Sequence, residues 1–119
     1  MTDIFSLIKI ACEPNRLRIL CILSRAEICV CELESILGLS QPLISTHLKV
    51  LKGAGLVRER REGKWIYWFL NPSIWQKEKS WLMPIIKRFR KAPSSNKDER
   101  FLARCLCRRV DGKCIARFQ

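Results

Sequence analysis

The chain has little histidine, little acid and no long apolar run, and each shortage removes a class of function. His47 is the only histidine, so a histidine-activated serine or cysteine nucleophile has one place to be, and no phosphate-cradling glycine loop is present. An enzyme has little support on those grounds. No apolar stretch approaches the roughly 18–20 residues of a membrane span, which predicts a soluble protein without a membrane partner. The opening "MTDIFSLIKIACEPNR" places Asp3 early, has no basic cluster before its apolar run and offers no small-residue cleavage pattern, so a cytoplasmic location is expected.

Acid is scarce because base is plentiful: 23 Lys and Arg stand against 11 Asp and Glu, a net charge of +12. Residues 1–86 carry 12 basic and 8 acidic side chains, whereas residues 87–119 carry 11 and 3. Such an excess favours a polyanionic partner, nucleic acid before an anionic membrane surface. Apolar residues make up 48% of the 119, enough for one compact domain with a real core. Seven cysteines without a secretory signal argue for a reducing compartment, where thiols act as metal ligands or redox sensors rather than staples.

Apolar spacing predicts a short amphipathic helix in "DIFSLIKIAC" and a mostly buried one in "EPNRLRILCIL", with Pro14 in its first turn. Cys12 and Cys21 read as small buried core residues. "VCELESIL" reads as a helix with Leu33, Ile36 and Leu37 facing inward, stopped by Gly38. The next helix has Ser40 as its N-cap and runs to about Lys52, with Leu43, Ile44, Leu48 and Leu51 inward and Gln41, Ser45, Thr46 and Lys49 outward. Two short helices joined by a glycine-containing turn, the second with exposed polar and basic residues, form a helix-turn-helix pattern.

"LVRERREGKWIYWFL" then alternates, turns at Glu62-Gly63 and returns as an aromatic strand. A basic tip at Arg60, Arg61 and Lys64 makes this hairpin a wing able to reach phosphates. The stretch "NPSIWQKEKSWLMPIIKRFRK" predicts a longer helix, bent or divided at Pro84. The expected fold is mainly α with a β-hairpin wing, a winged helix-turn-helix that dimerises two-fold through its terminal helices. Residues 1–91 form the winged-helix and dimerisation domain in this reading. "APSSNKDE" has linker composition, and residues 92–119 form a basic, cysteine-rich tail with a turn at Asp111-Gly112.

The run "EPNRLRILCIL", the stretch "ICVCELESILGLSQPLISTHLKVLKGAGLV" and the wing "RREGKWIYWFLNP" resemble the ArsR/SmtB family of metal-sensing winged-helix repressors, within it the arsenic-responsive branch. The similarity spans roughly residues 4–90. It implies a homodimer that holds double-stranded operator DNA when empty and releases it when arsenite or antimonite binds as inducer, with no organic cofactor. By position, Gln41, Ser45, Thr46, His47 and Lys49 match the DNA-reading helix, and Arg61 and Lys64 belong to the wing. His47 reads as a DNA contact or a packing residue rather than a metal ligand. Other thiophilic ions such as cadmium or lead, or thiol oxidation, are the alternative signals.

The inducer site starts from Cys29 and Cys31. Trivalent arsenic takes three thiolates in a pyramid, and residues two apart on a regular helix point to nearly opposite faces. The pair can therefore converge only if Cys29 sits outside the helix or its first turn unwinds, which would make binding a lever on the helix. Many relatives carry a third cysteine where this chain has Glu34, a hard carboxylate unsuited to arsenic. The tail offers Cys105, Cys107 and Cys114, flanked by Arg104, Arg108, Arg109 and Arg117, cations that favour thiolates. Either one tail thiol completes the Cys29 and Cys31 site or the three form their own trigonal site. The turn at Asp111-Gly112 favours the separate site.

Overall fold

The computed structural model describes residues 3–92, 96–107 and Arg109. Side chains that can take up the orphan N–H groups of a first turn stand ahead of most helices. Asp3 accepts from the Ser6 amide at 2.8 Å before α1 (Ile4–Ala11), and Glu13 from the Arg16 amide at 2.9 Å before α2 (Pro14–Leu23). Ser40 and Asn71 do the same for α4 (Gln41–Gly53) and α5 (Pro72–Arg90). Between α2 and α4 lies α3 (Val30–Leu37), which stops at Gly38 with a left-handed φ of +69°. That conformation is open to glycine at little cost.

Three antiparallel strands form one small sheet in the order β1-β3-β2: β1 (Ile28–Cys29), β2 (Val57–Glu62) and β3 (Trp65–Leu70). Val57 pairs with Leu70 and Glu62 with Trp65 across the hairpin, and Gly63 turns it with φ +61°. Strand β1 was not expected. It joins the sheet through Ile28 opposite Trp68 and Cys29 opposite Tyr67, and two residues are too few to show a period of two.

The core gathers Ile19, Leu20 and Ile22 of α2, Leu33 and Ile36 of α3, Ile44, Leu48 and Leu51 of α4, and Leu82 and Ile86 of α5, all fully buried. Two apolar assignments are corrected. Leu43 is 39% exposed rather than inward, and Cys12 lies on the surface at the C-cap of α1, whereas Cys21 is buried as expected. Pro84 does not divide α5, which runs as one 19-residue helix. None of the helices among the described residues is long and apolar enough to cross a membrane.

Asn96–Glu99, read as linker, is instead the first turn of α6 (Asn96–Cys107). This helix packs on α2 and α3 and adds Leu102 and Cys105 to the core. Its first turn is pinned by Arg18, whose guanidinium donates twice to the buried Asp98 at 2.9 Å and once to the carbonyl of Leu37 at 2.9 Å. Arg25 pairs with Glu99 at 2.6 Å beside it.

Candidate thiol site and nucleic-acid face

Cys29 occupies the junction of strand and helix. It ends β1 and caps α3 in an extended conformation, φ −89° and ψ 165°, so it stands outside the helix while Cys31 lies in the first turn. The two sulfurs are 3.1 Å apart. One alternative for convergence is thereby realised and the other set aside: the thiols already meet with α3 intact, so no unwinding is needed to bring them together.

Glu32 organises the ground beneath the pair. Its carboxylate is only 1% exposed, accepts from the Cys29 amide at 3.2 Å and from the Cys29 thiol at 3.5 Å. Arg109 donates to both of its oxygens, Nε at 2.8 Å and Nη2 at 2.7 Å, and Nη2 also reaches the carbonyl of Glu27. A carboxylate removed from water is tolerable when a guanidinium fork meets it in this way. The Arg109 guanidinium also sits 5.7 Å from the ring centroid of Tyr67, the buried residue opposite Cys29.

Cys105 faces the same carboxylate from α6. Burial, then the Glu32 charge, pushes its thiol up to about 12, with Cys29 adding in the same sense and Arg109 opposing. The cationic neighbourhood read from the tail therefore does not make this thiol acidic, because the helix turns it into the core. Cys107, two residues on, is exposed, and the structure does not bring these two together. Cys114 lies outside the described residues. Among the described residues no three ligating side chains form a ready-made metal site.

The thiol pair opens on a cleft of about 290 Å³ whose walls include Cys29, Cys31, Glu34, Gln41, Lys64 and Trp65. The carboxylate at position 34 therefore stands on the same cleft, as does the first residue of α4 and the turn of the wing. Of the α4 residues, Gln41, Thr46 and Lys49 are exposed and Ser45 is half-buried. His47 turns inward at 8% exposure, and its Nδ1 has no hydrogen-bond partner among the described residues. Arg61 and Lys64 are exposed on the wing, with the Lys64 ammonium 5.3 Å from the Trp65 ring centroid. Arg60 is engaged instead by Glu27 and Glu62 and lies 4.8 Å from the Tyr67 ring centroid.

Sequence reasoning missed Glu32 and Tyr67, and it read Arg109 only as a cation beside the tail thiols. Glu32 had a signal, since a Glu at the third helical position can bond back to the N-cap amide, but cysteine in the cap position hid it. Nothing local ties Arg109 to Glu32, which is 77 residues away.

A profile described as bacterial regulatory protein, arsR family, matches residues 13–59. The arsenical resistance operon repressor of Staphylococcus aureus is 33% identical over 113 residues, covering 94% of this chain and 96% of that one. The arsenical resistance operon repressor of Escherichia coli K12 is 45% identical over 69 residues, 57% of this chain and 59% of that protein. The crystal structure of the transcriptional regulator HlyU from Vibrio vulnificus CMCP6 is similar at 36% identity with a TM-score of 0.58, over 70% of this chain and 79% of that one. The chain spans 48–59% of the length of several arsenic-resistance regulators that it matches.

Proposed function

Because the chain belongs to the ArsR family of winged-helix transcriptional regulators, DNA-binding proteins and not enzymes, we propose that it is a repressor that leaves its operator when trivalent arsenic or antimony binds Cys29 and Cys31. The observation that carries this reading is the 3.1 Å thiol contact on a cleft shared with Gln41 of α4 and Lys64 of the wing. Soft sulfur ligands suit a thiophilic ion. Each As–S bond forms as a thiol proton joins an arsenite hydroxyl and departs as water, so two thiols release two waters and leave one hydroxyl on arsenic. An ion held at this point sits between the helix that reads bases and the hairpin that touches phosphates, and spreading the cleft walls shifts one against the other.

A third thiolate has to be recruited, and Cys105 is the tail thiol on the side of α6 that faces Glu32. The Cys105 and Cys107 placements argue against the local tail site. Dimerisation belongs to the same reading: Ile4, Phe5 and Ile8 of α1 are exposed, and Leu17, Pro84, Ile85 and Phe89 line an apolar hollow along α5 that a second copy can cover.

The test is a gel shift on promoter DNA with arsenite, antimonite, cadmium, lead and peroxide in parallel. Arsenite and antimonite are expected to release the wild-type protein, while Cys29→Ser and Cys31→Ser bind DNA but stay bound. The sulfur contact also suits oxidation, so release by peroxide alone would replace the inducer in this reading with a redox signal. Loss of DNA binding in the serine variants would return the pair to a structural role.

A further inference from the structure

The recognition helix shows more apolar surface than a solvated helix needs. Five large apolar side chains stand out as exposed among the described residues; three lie on α1, and the other two are Leu43 and Val50 of α4, at 39% and 36%. Leu43, Thr46 and Val50 are spaced by three and four residues and so form one stripe along α4. The Thr46 hydroxyl donates to the carbonyl of Pro42 at 2.9 Å. Its proton is committed within the helix, and the methyl group is what Thr46 adds to the stripe.

A polar ridge, Gln41, Ser45 and Lys49, runs alongside at four-residue steps. Gln41 donates through Nε2 to Ser45 Oγ at 2.8 Å. That bond fixes the carboxamide and leaves its carbonyl oxygen and second N–H for another partner. A shallow hollow lined by Ser45, Thr46, Lys49 and Val50 separates the two ridges.

What α4 lacks is as telling. Residues 41–53 contain no arginine, aspartate or glutamate, so the guanidinium fork for guanine and the carboxylate that accepts from the cytosine amino group are missing, and of the two lysines, which can also take guanine, Lys52 is held by Glu59. A glutamine suits adenine N6 and N7, and apolar groups suit the thymine methyl. Lys49 is a point charge fit for phosphate.

We propose that α4 reads adenine–thymine pairs in the major groove, Gln41 taking an adenine edge and the Leu43, Thr46 and Val50 stripe packing on thymine 5-methyl groups. This rests on α4 being the groove-reading helix of the proposed repressor. A protein chain docking on the same stripe is the competing outcome, but the cationic surround of Lys49, Arg61 and Lys64 favours a polyanion over an apolar partner.

The experiment uses the full-length protein and a DNA fragment located by footprinting on the sequence flanking its own gene. Every thymine in the footprint is replaced by deoxyuridine, which keeps base pairing and removes only the methyl. About fourfold weaker binding is expected for each methyl that the stripe buries. The Leu43→Ala, Val50→Ala double variant should bind both DNAs more weakly and lose most of the difference between them. Equal affinity of the wild-type protein for the two fragments overturns the methyl contact, a measurement that needs no variant. An unchanged difference in the double variant overturns its assignment to the stripe. Failure to bind any flanking DNA strikes the repressor reading itself, which keeps the two failures distinct.

Discussion

Cys105 and Cys107 sit two residues apart on one helix and have opposite environments, one in the core and one in water. Chemistry at each thiol follows burial rather than flanking charge. Burial raises Cys21 to about 11 and Cys105 to about 12, so both stay protonated at neutral pH and shielded from electrophiles that arrive directly from solvent. Exposed Cys12 and Cys107 should be alkylated first by iodoacetamide, well ahead of Cys21 and Cys105, as read by peptide mass spectrometry. Stability carries the same signature. Below the ordinary thiol value of about 9, folded and unfolded states bind these two protons equally, and the favourable contribution is intact. Between about 9 and the folded values of about 11 and about 12 the folded state holds protons that the unfolded state has lost, so stability falls with rising pH. A urea midpoint that stays level across pH 9 to 11 would contradict the buried placement of these thiols.

At the scale of elements, what the sequence showed was what local physics decides. Helices α1, α2 and α4 were legible from their apolar period, joined by a first-turn proline in α2 and α4 and by the Ser40 cap in α4, and the hairpin because alternation and a glycine turn agree. Strand β1 was not, having no length in which to alternate. Helix α6 was hidden by its own anchor: Asp98, Leu102 and Cys105 share its inward face, and a buried aspartate reads as solvent-facing until Arg18, 80 residues away, is known to meet it. The thiol site divides the same way, with Cys29 and Cys31 visible as a motif and the contact of Arg109 with Glu32 invisible. Gly38 gives a clean test of the joint between α3 and α4. Its φ is +69°, and an added Cβ would meet nothing within 4 Å, so the cost of Gly38→Ala is backbone strain alone, about 1 kcal/mol. Gly38→Asn should cost less, since asparagine tolerates this region better. Thermal or urea unfolding of both variants measures the difference, and an alanine variant as stable as wild type would mean that the joint relaxes out of the left-handed state.

For the whole molecule the net charge of +12 already cancels each base held by an acid, so what decides contact with DNA is which bases stand outside those pairs. Arg18 and Arg109 are committed to Asp98 and Glu32, Arg25 and Lys52 pair with Glu99 and Glu59, and Arg60 is held by Glu27 and Glu62. Lys49, Arg61 and Lys64 remain exposed on the proposed DNA face. A phosphate contact releases condensed counterions and steepens the fall of affinity with salt by about 0.9 in log–log slope. A paired arginine contributes less, since its carboxylate must first be given up. Arg61→Ala and Lys64→Ala should each flatten that slope by about one unit per protomer that touches phosphate, whatever the operator sequence. Arg60→Ala should flatten it less, although sequence alone grouped all three at the hairpin tip. Fluorescence anisotropy over about 50–300 mM salt separates them. If Arg60→Ala flattened the slope as much as Arg61→Ala, the Glu27 and Glu62 pairing would have to yield to phosphate on binding, and the wing would be a surface that DNA rearranges.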